Sequence, residues 1–198
     1  MSAYKLFRCW LLLFFGPLFR FKVKGREYIP RRGGFILAPN HTSYLDPVFA
    51  GMACPKELGF MAKEDLFKNF LFAIVIRASN TFPVKRTMHD RGAIAIAKYR
   101  VRRGSALLIF PEGTRSPGGE LQTPQRGIAY LADATGAPVV PCYIKGTHEA
   151  WPVGAKKIKL VPISVYFGKP LRYKKEMNYR EFARLVMHEI ATLKAQAG

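Results

Sequence analysis

Acidic residues are scarce in this chain. Against 32 Lys plus Arg stand 13 Asp plus Glu, a formal net charge of +19 over 198 residues. That excess is larger than solubility asks for, and it needs an anionic partner: nucleic acid, an anionic membrane surface, or phosphorylated substrates and carriers. Cysteine is scarce too. Cys9, Cys54 and Cys142 lie far apart with no CxxC pair. This excludes a disulfide framework and a cysteine zinc site, and suits a reducing compartment. HExxH, GxGxxG, GxxxxGK(S/T) and GxSxG are all missing, so zinc-protease, dinucleotide, P-loop and serine-elbow readings have no support. The N-terminal run from Cys9 to Phe19 carries no charge, but it is too short for the roughly 20 apolar residues of a spanning helix, and Gly16-Pro17 interrupts it. No small-residue cleavage site follows it. Arg20, Phe21, Lys22, Val23 and Lys24 come instead, which is unlike a signal peptide.

What is present is a core-forming composition. A hydrophobic fraction of 49% with 15 Phe argues against disorder, and the length suits one domain. Lys5, Arg8, Arg20, Lys22, Lys24 and Arg26 surround the N-terminal apolar run, and no acid precedes Glu27. A core helix is rarely ringed by positive charge alone. Residues 1–21 are therefore expected to be an interfacial anchor in one leaflet, on the cytoplasmic face of a membrane. Trp10, Leu11, Leu12, Leu13, Phe14 and Phe15 would enter the acyl region, while Lys5, Arg8, Arg20 and Lys22 meet anionic headgroups.

Residues 22–198 read as one α/β domain. Apolar runs at 35–39, 58–62, 80–84, 106–111, 139–144 and 158–168 predict strands. Helices are predicted at about 46–54, 65–78, 88–103, 125–135 and 179–196. The alternation implies a mainly parallel, mixed sheet with helices on both faces. Tyr179, Phe182, Val186, Ile190 and Leu193 fall at helical spacing behind Asn178, a natural N-cap.

Two stretches carry chemistry. "NHTSYLDP" (40–47) and "FPEGTRSPGG" (110–119) each follow an apolar strand. Ligands of open α/β sheets bind outside the carboxyl ends of strands, so both stretches can face one cleft. Taken alone, Ser43-x-x-Asp46 reads as a capping box with Asp46 in the first turn of a helix. Taken with His41, the same aspartate can accept a hydrogen bond from one imidazole nitrogen, fix the tautomer and leave the other nitrogen as a general base. With no serine elbow, that base would act on a substrate hydroxyl. Arg115 offers a planar fork of donors for phosphate, Gly113 permits close backbone approach to an anion, and Arg86 follows another strand. His89, His148 and His188 have no comparable partner spacing; His148 lies near enough to line the cleft, and His188 is expected to be exposed. The stretch 66–78 is apolar nearly all round and suits burial or the wall of an acyl-chain tunnel.

With "FPVKR" (82–86) and "VVPCYIKGT" (139–147), four blocks in order resemble the PlsC-type glycerolipid acyltransferases, the 1-acyl-glycerol-3-phosphate acyltransferases and their relatives. The resemblance covers nearly the whole chain. Cys142 departs from the small aliphatic residue expected there. The resemblance implies that His41 is the general base, with Asp46 orienting and polarising it. It implies that Arg86 and Arg115 hold the acceptor phosphate, that Glu112, Gly113 and Thr114 shape that pocket, and that Pro141 belongs to the fourth block of the substrate site. The reaction implied is acyl transfer from acyl-CoA or acyl-carrier protein to lysophosphatidic acid, giving phosphatidic acid with neither metal nor cofactor; glycerol-3-phosphate or another lysolipid is the alternative acceptor. Backbone amides near Gly113 or after His41 are candidate oxyanion donors. Anionic lipids and carriers would account for the charge. A second cluster, Lys156, Lys157, Lys159, Lys169, Arg172, Lys174 and Lys175, contains no acid and would dock a carrier or a membrane, or be a solvated face. A basic nucleic-acid-binding protein is the rival reading. It leaves both chemical stretches unexplained, so no nucleic-acid partner is expected.

Overall fold

The computed structural model describes residues 3–63, 82–84 and 91–198. Helix α1 (Ala3–Leu18) leads to β1 (Lys22–Lys24) and a 3-10 turn (Arg26–Tyr28). Then come β2 (Phe35–Pro39), α2 (Asp46–Ala53), β3 (Leu58–Lys63), β4 (Phe82–Val84), α3 (Arg91–Arg102) and β5 (Ala106–Leu108). The chain closes with α4 (Gly127–Thr135), β6 (Val139–Lys145), α5 (Thr147–Ala150), β7 (Ser164–Phe167) and α6 (Tyr179–Gln196). The seven strands form one sheet in the order β1-β7-β6-β2-β5-β3-β4. Strands β6, β2, β5, β3 and β4 are mutually parallel. Strand β7 runs antiparallel to β6 and carries β1 parallel to itself. This is the mixed, mainly parallel α/β architecture expected from the alternation of strands and helices.

The period-2 alternation of strand residues sorts the core into two layers. Phe35, Leu37, Val140 and Cys142 face a cluster with Phe19, Leu45, Phe49 and Met52. Ile36, Ala38 and Val139 face the other, with Ala97, Val101, Ile128, Leu131, Phe182, Val186 and Ile190. Every residue of β2 is buried, as a central strand covered on both sides must be. Helix α6 starts on a complete capping box: Asn178 accepts from the Glu181 amide, and Glu181 accepts from the Asn178 amide. Its stripe Phe182, Val186, Ile190 and Leu193 is buried, and each such side chain contributes about 1.5–3 kcal/mol over exposure.

Several elements differ from the sequence expectation. Strand β1 and the short α5 carry too few residues to show periodicity. The run 158–168 forms strand only at its end. Before that the chain makes a loop closed by the Lys159 amide on the Ala150 carbonyl at 2.8 Å, and Pro162 has no N–H to give a ladder. Strand β5 stops at Leu108, although the Ile109 amide still reaches the Leu37 carbonyl at 2.9 Å. Gly16-Pro17 does not break α1. It sits in the last turn, and the helix ends just beyond it at Leu18, with Arg20 taking the left-handed conformation at φ 43°. The predicted helix 65–78, Arg86 and His89 lie outside the described residues.

Helix α1 is neither purely core nor purely surface. Tyr4 and the following Phe19 are buried, and Leu11, Leu12 and Phe15 pack against the core. Arg8 Nε donates to the Met52 carbonyl at 3.1 Å, so this cation holds α1 on α2 rather than pointing to headgroups. The opposite face exposes Leu6, Trp10, Leu13, Phe14 and Leu18. The expected apolar wedge is thus divided: Leu11, Leu12 and Phe15 turn inward, and Trp10, Leu13 and Phe14 turn outward.

Candidate active site

Strand β2 ends at Pro39, and Asn40 then locks its end to β6. The Asn40 amide group donates to the Ile144 carbonyl at 3.2 Å, and its oxygen accepts from the Ile144 amide at 2.7 Å. A side chain thereby imitates one more rung of the β2–β6 ladder. It fixes where the next residue, His41, leaves the sheet.

From there the chain doubles back on Asp46. One carboxylate oxygen, Oδ2, accepts from the Thr42 amide at 2.7 Å, the Ser43 amide at 2.8 Å and His41 Nδ1 at 2.9 Å. The other, Oδ1, accepts from Thr147 Oγ1 at 2.6 Å. Asp46 is fully buried, and these four donors take the place of water. The helix itself begins at Asp46 after an N-cap Leu45 that has no side-chain cap. Ser43 is therefore not the cap residue expected, although its hydroxyl accepts from the Leu45 amide at 3.1 Å and donates to the Trp151 carbonyl at 2.7 Å. A turn-stabilising and a histidine-orienting role coexist in one carboxylate.

An ionised carboxylate only accepts, so the His41 proton sits on Nδ1 and the lone pair on Nε2. The imidazole is 8% exposed and lies flat on Phe110, with centroids 3.6 Å apart and planes at 11°. Burial lowers its proton affinity most; Asp46 raises it and Arg115 lowers it further, with a net shift below the ordinary 6.5.

The second stretch grips the first. Glu112 is buried, and its two oxygens accept from the His41 amide at 2.8 Å and the Gln122 amide at 3.1 Å. Burial raises its pKa, and these two amides oppose the rise. The Ser116 amide donates to the His41 carbonyl at 2.8 Å, so His41's backbone is held from both sides. Glu112 thus carries the histidine's main chain as well as lining the turn. Gly113 (φ 74°) and Thr114 are exposed at the tip. Arg115 stacks its guanidinium over Tyr44 at 4.1 Å, and its buried Nε has no hydrogen-bond partner among the described residues. Tyr44 in turn meets Trp151 at 5.3 Å between centroids.

Of the residues singled out from the sequence, the fold brings His41, Asp46, Glu112 and Arg115 to one place at the carboxyl ends of β2 and β5. Pro141 lies apart. It is a buried strand residue of β6, paired in register with Ala38 inside the sheet. The amides considered for an oxyanion are already committed: Thr42 and Ser43 to Asp46, and Gly113 to the Phe110 carbonyl at 3.1 Å. His148 is half-buried against Gly119, its Nδ1 without a partner among the described residues, and His188 is exposed. Asn40, Phe110 and Thr147 were missed by residue-type reasoning. The only signal was that they sit inside the four blocks. A depression of about 730 Å³ lined by Arg31, Arg32, Arg102 and Arg172 lies at the opposite, amino end of the sheet and holds none of these residues.

Similarity to known proteins bears on the same residues. The model of a family described as Acyltransferase matches residues 20–145. A 1-acyl-sn-glycerol-3-phosphate acyltransferase from Limnanthes douglasii is 30% identical over 154 residues, covering 76% of this chain and 54% of that protein. One from Bacillus subtilis (strain 168) is 28% identical over 151 residues, covering 76% of this chain and 73% of that protein. The crystal structure of the 1-acyl-sn-glycerophosphate (LPA) acyltransferase PlsC from Thermotoga maritima superposes with a TM-score of 0.74 at 25% identity, covering 98% of this chain and 84% of that one. The chain spans about half the length of the Limnanthes relatives it matches. The family match takes in both polar loops and the strands that carry them, and on that ground the chain belongs to the Acyltransferase family.

Proposed function

We propose that this chain moves a fatty acyl group from acyl-CoA or acyl-carrier protein to the free hydroxyl of 1-acyl-glycerol-3-phosphate, giving phosphatidic acid and a free thiol. The observation that carries the reading is the His41–Asp46 pair at 2.9 Å, with no group among the described residues bonded to Nε2. Burial keeps the imidazole neutral near pH 7, as a general base requires. His41 Nε2 takes the proton of the acceptor hydroxyl as that oxygen attacks the thioester carbonyl. The tetrahedral intermediate expels the thiolate, which recovers the proton from the imidazolium, and no acyl-enzyme forms. Asp46 stabilises the transient imidazolium. Arg115 is the phosphate ligand in this reading. It stands close enough to lower the proton affinity of His41, and its buried Nε–H has no acceptor among the described residues, which leaves it to a phosphate oxygen. Arg86 joins it by resemblance alone. The named activities of the Limnanthes douglasii and Bacillus subtilis relatives support this acceptor. No metal or cofactor is assigned a step.

Among the described residues no helix is long and apolar enough to cross a membrane. The exposed face of α1 fits a one-leaflet anchor on the cytoplasmic side, bringing the cleft to a lipid acceptor. The test is thiol release from acyl-CoA and acyl-carrier protein with lysophosphatidate, glycerol-3-phosphate and a lyso-aminolipid, for wild type and His41→Ala. Lysophosphatidate-dependent release that His41→Ala abolishes is expected. Release in wild type without preference for lysophosphatidate, or near-wild-type turnover in His41→Ala, sinks the reading.

A further inference from the structure

We infer that residues 152–160 form a second membrane-contact element, docking on an anionic bilayer beside α1. The inference rests on the proposed reading that the acceptor is a membrane lipid. Residues 156–160 are all exposed and alternate in kind: Lys156 and Lys157, then Ile158, Lys159, Leu160. Ile158 and Leu160 keep 48% and 61% of their surface in water, and Val153 joins them. Two exposed large aliphatics threaded between lysines are unfavourable in water and poor as a purely ionic dock. At the boundary between headgroups and acyl chains both kinds of side chain are satisfied, the aliphatics below and the ammonium groups above. No acid occurs between Glu149 and Glu176, so nothing in this stretch repels an anionic surface.

The fold sets this loop beside the other exposed apolar surface. The Ile163 amide donates to the Phe19 carbonyl at 2.8 Å, and the Lys22 amide donates to the Ile163 carbonyl at 3.0 Å. The end of the loop therefore runs against the end of α1, where Leu18 is exposed and Arg20 and Lys22 follow. The loop is also built, not loose. Lys159 N–H closes it on the Ala150 carbonyl, and Trp151 Nε1 donates to the Ala155 carbonyl at 2.8 Å. Its root is tied to the catalytic loop through a Ser43–Pro152 β-bridge and the Trp151–Tyr44–Arg115 series of rings and guanidinium. A bilayer seated on this loop would lie against the element that positions Tyr44 and Arg115, the side from which a lipid phosphate must come.

The test is flotation of the full-length protein on phosphatidylcholine vesicles with and without phosphatidylglycerol. Wild type is compared with Lys156→Gln/Lys157→Gln/Lys159→Gln and with Val153→Ser/Ile158→Ser/Leu160→Ser. All six positions are exposed, so neither variant perturbs the core. Each lysine at an anionic surface is worth about fivefold in partitioning. The lysine variant is expected to bind anionic vesicles roughly a hundredfold more weakly and neutral ones unchanged. The aliphatic variant is expected to lose about tenfold or more on both. Turnover of a water-soluble short-chain lysophosphatidate should stay within about twofold in both. Wild-type flotation of both variants on anionic vesicles overturns the inference. So does a selective loss of transfer from acyl-carrier protein with vesicle binding intact, which would make the loop a carrier dock. Turnover of the soluble acceptor falling in step with binding overturns it as well, by placing these residues in the cleft. If wild type transfers no acyl group at all, the acyltransferase reading fails, and flotation still decides the loop.

Discussion

Replacing Asp46 by Asn isolates charge from geometry at this site. The Thr42 and Ser43 amides point at Oδ2 from 2.7 and 2.8 Å, so an NH₂ group cannot sit there and the Asn oxygen must. His41 Nδ1–H then still meets an acceptor, and the tautomer survives. On the other side Thr147 turns its hydroxyl to accept from the Asn NH₂ where it now donates at 2.6 Å. The substitution therefore removes the charge and keeps the tautomer. A carboxylate and an imidazolium whose charge centres are about 4 Å apart attract by roughly 4 kcal/mol at an effective dielectric of about 20. That is an upper bound of about a thousandfold in kcat, less than the roughly ten-thousandfold cost where the tautomer is also lost. The assay is kcat and kcat/KM across pH with saturating thioester donor. Asp46 raises the proton affinity of His41, so its neutralisation should also move the acid limb of the profile to lower pH. A kcat loss of about ten-thousandfold or more, or an acid limb that moves up, would refute the argument.

Thr147→Val removes the donor to a buried carboxylate oxygen while keeping the side-chain shape. It should cost about 1–3 kcal/mol in urea unfolding and lower kcat about tenfold; a change under about 0.5 kcal/mol would contradict the assigned hydrogen bond. Arg115→Lys keeps the charge but loses the fork and much of the stacking on Tyr44. Acceptor KM should rise or kcat fall about tenfold or more with donor KM steady; movement of donor KM alone would assign Arg115 to the carrier. In wild type the half-activity point of the acid limb should lie below 6.5, because burial lowers the proton affinity of His41. The same shift makes the unfolded chain bind more protons in the window below 6.5. His41 therefore contributes stability above that value and loses it as pH falls towards the folded pKa, and His41→Ala should flatten this slope in denaturation across pH.

What was legible in the sequence was what local pattern encodes. Strand 35–39 and helix 179–196 were readable because side-chain period and Asn178 are properties of neighbouring residues. The polar stretches were readable because chemistry-bearing types were packed into short spacings, and four ordered blocks resembled a known family. Strand β1 and the closed loop before β7 were not, since three residues show no period and an apolar run does not reveal where its hydrogen bonds go. Helix α1 was ambiguous for a similar reason: composition supplies aromatics and cations, and only packing decides that Arg8 turns in to Met52 while Trp10 turns out. The candidate site divides along the same line. His41 and Asp46 are five residues apart, so a local reversal suffices to pair them. Glu112 on the His41 amide, Asn40 on Ile144 and Thr147 on Asp46 are pairings across 71, 104 and 101 residues. Each satisfies a polar group that the parallel sheet has buried. A buried donor or acceptor needs a partner only once the fold has removed water from it, so the tertiary structure alone selected which distant residue that partner would be.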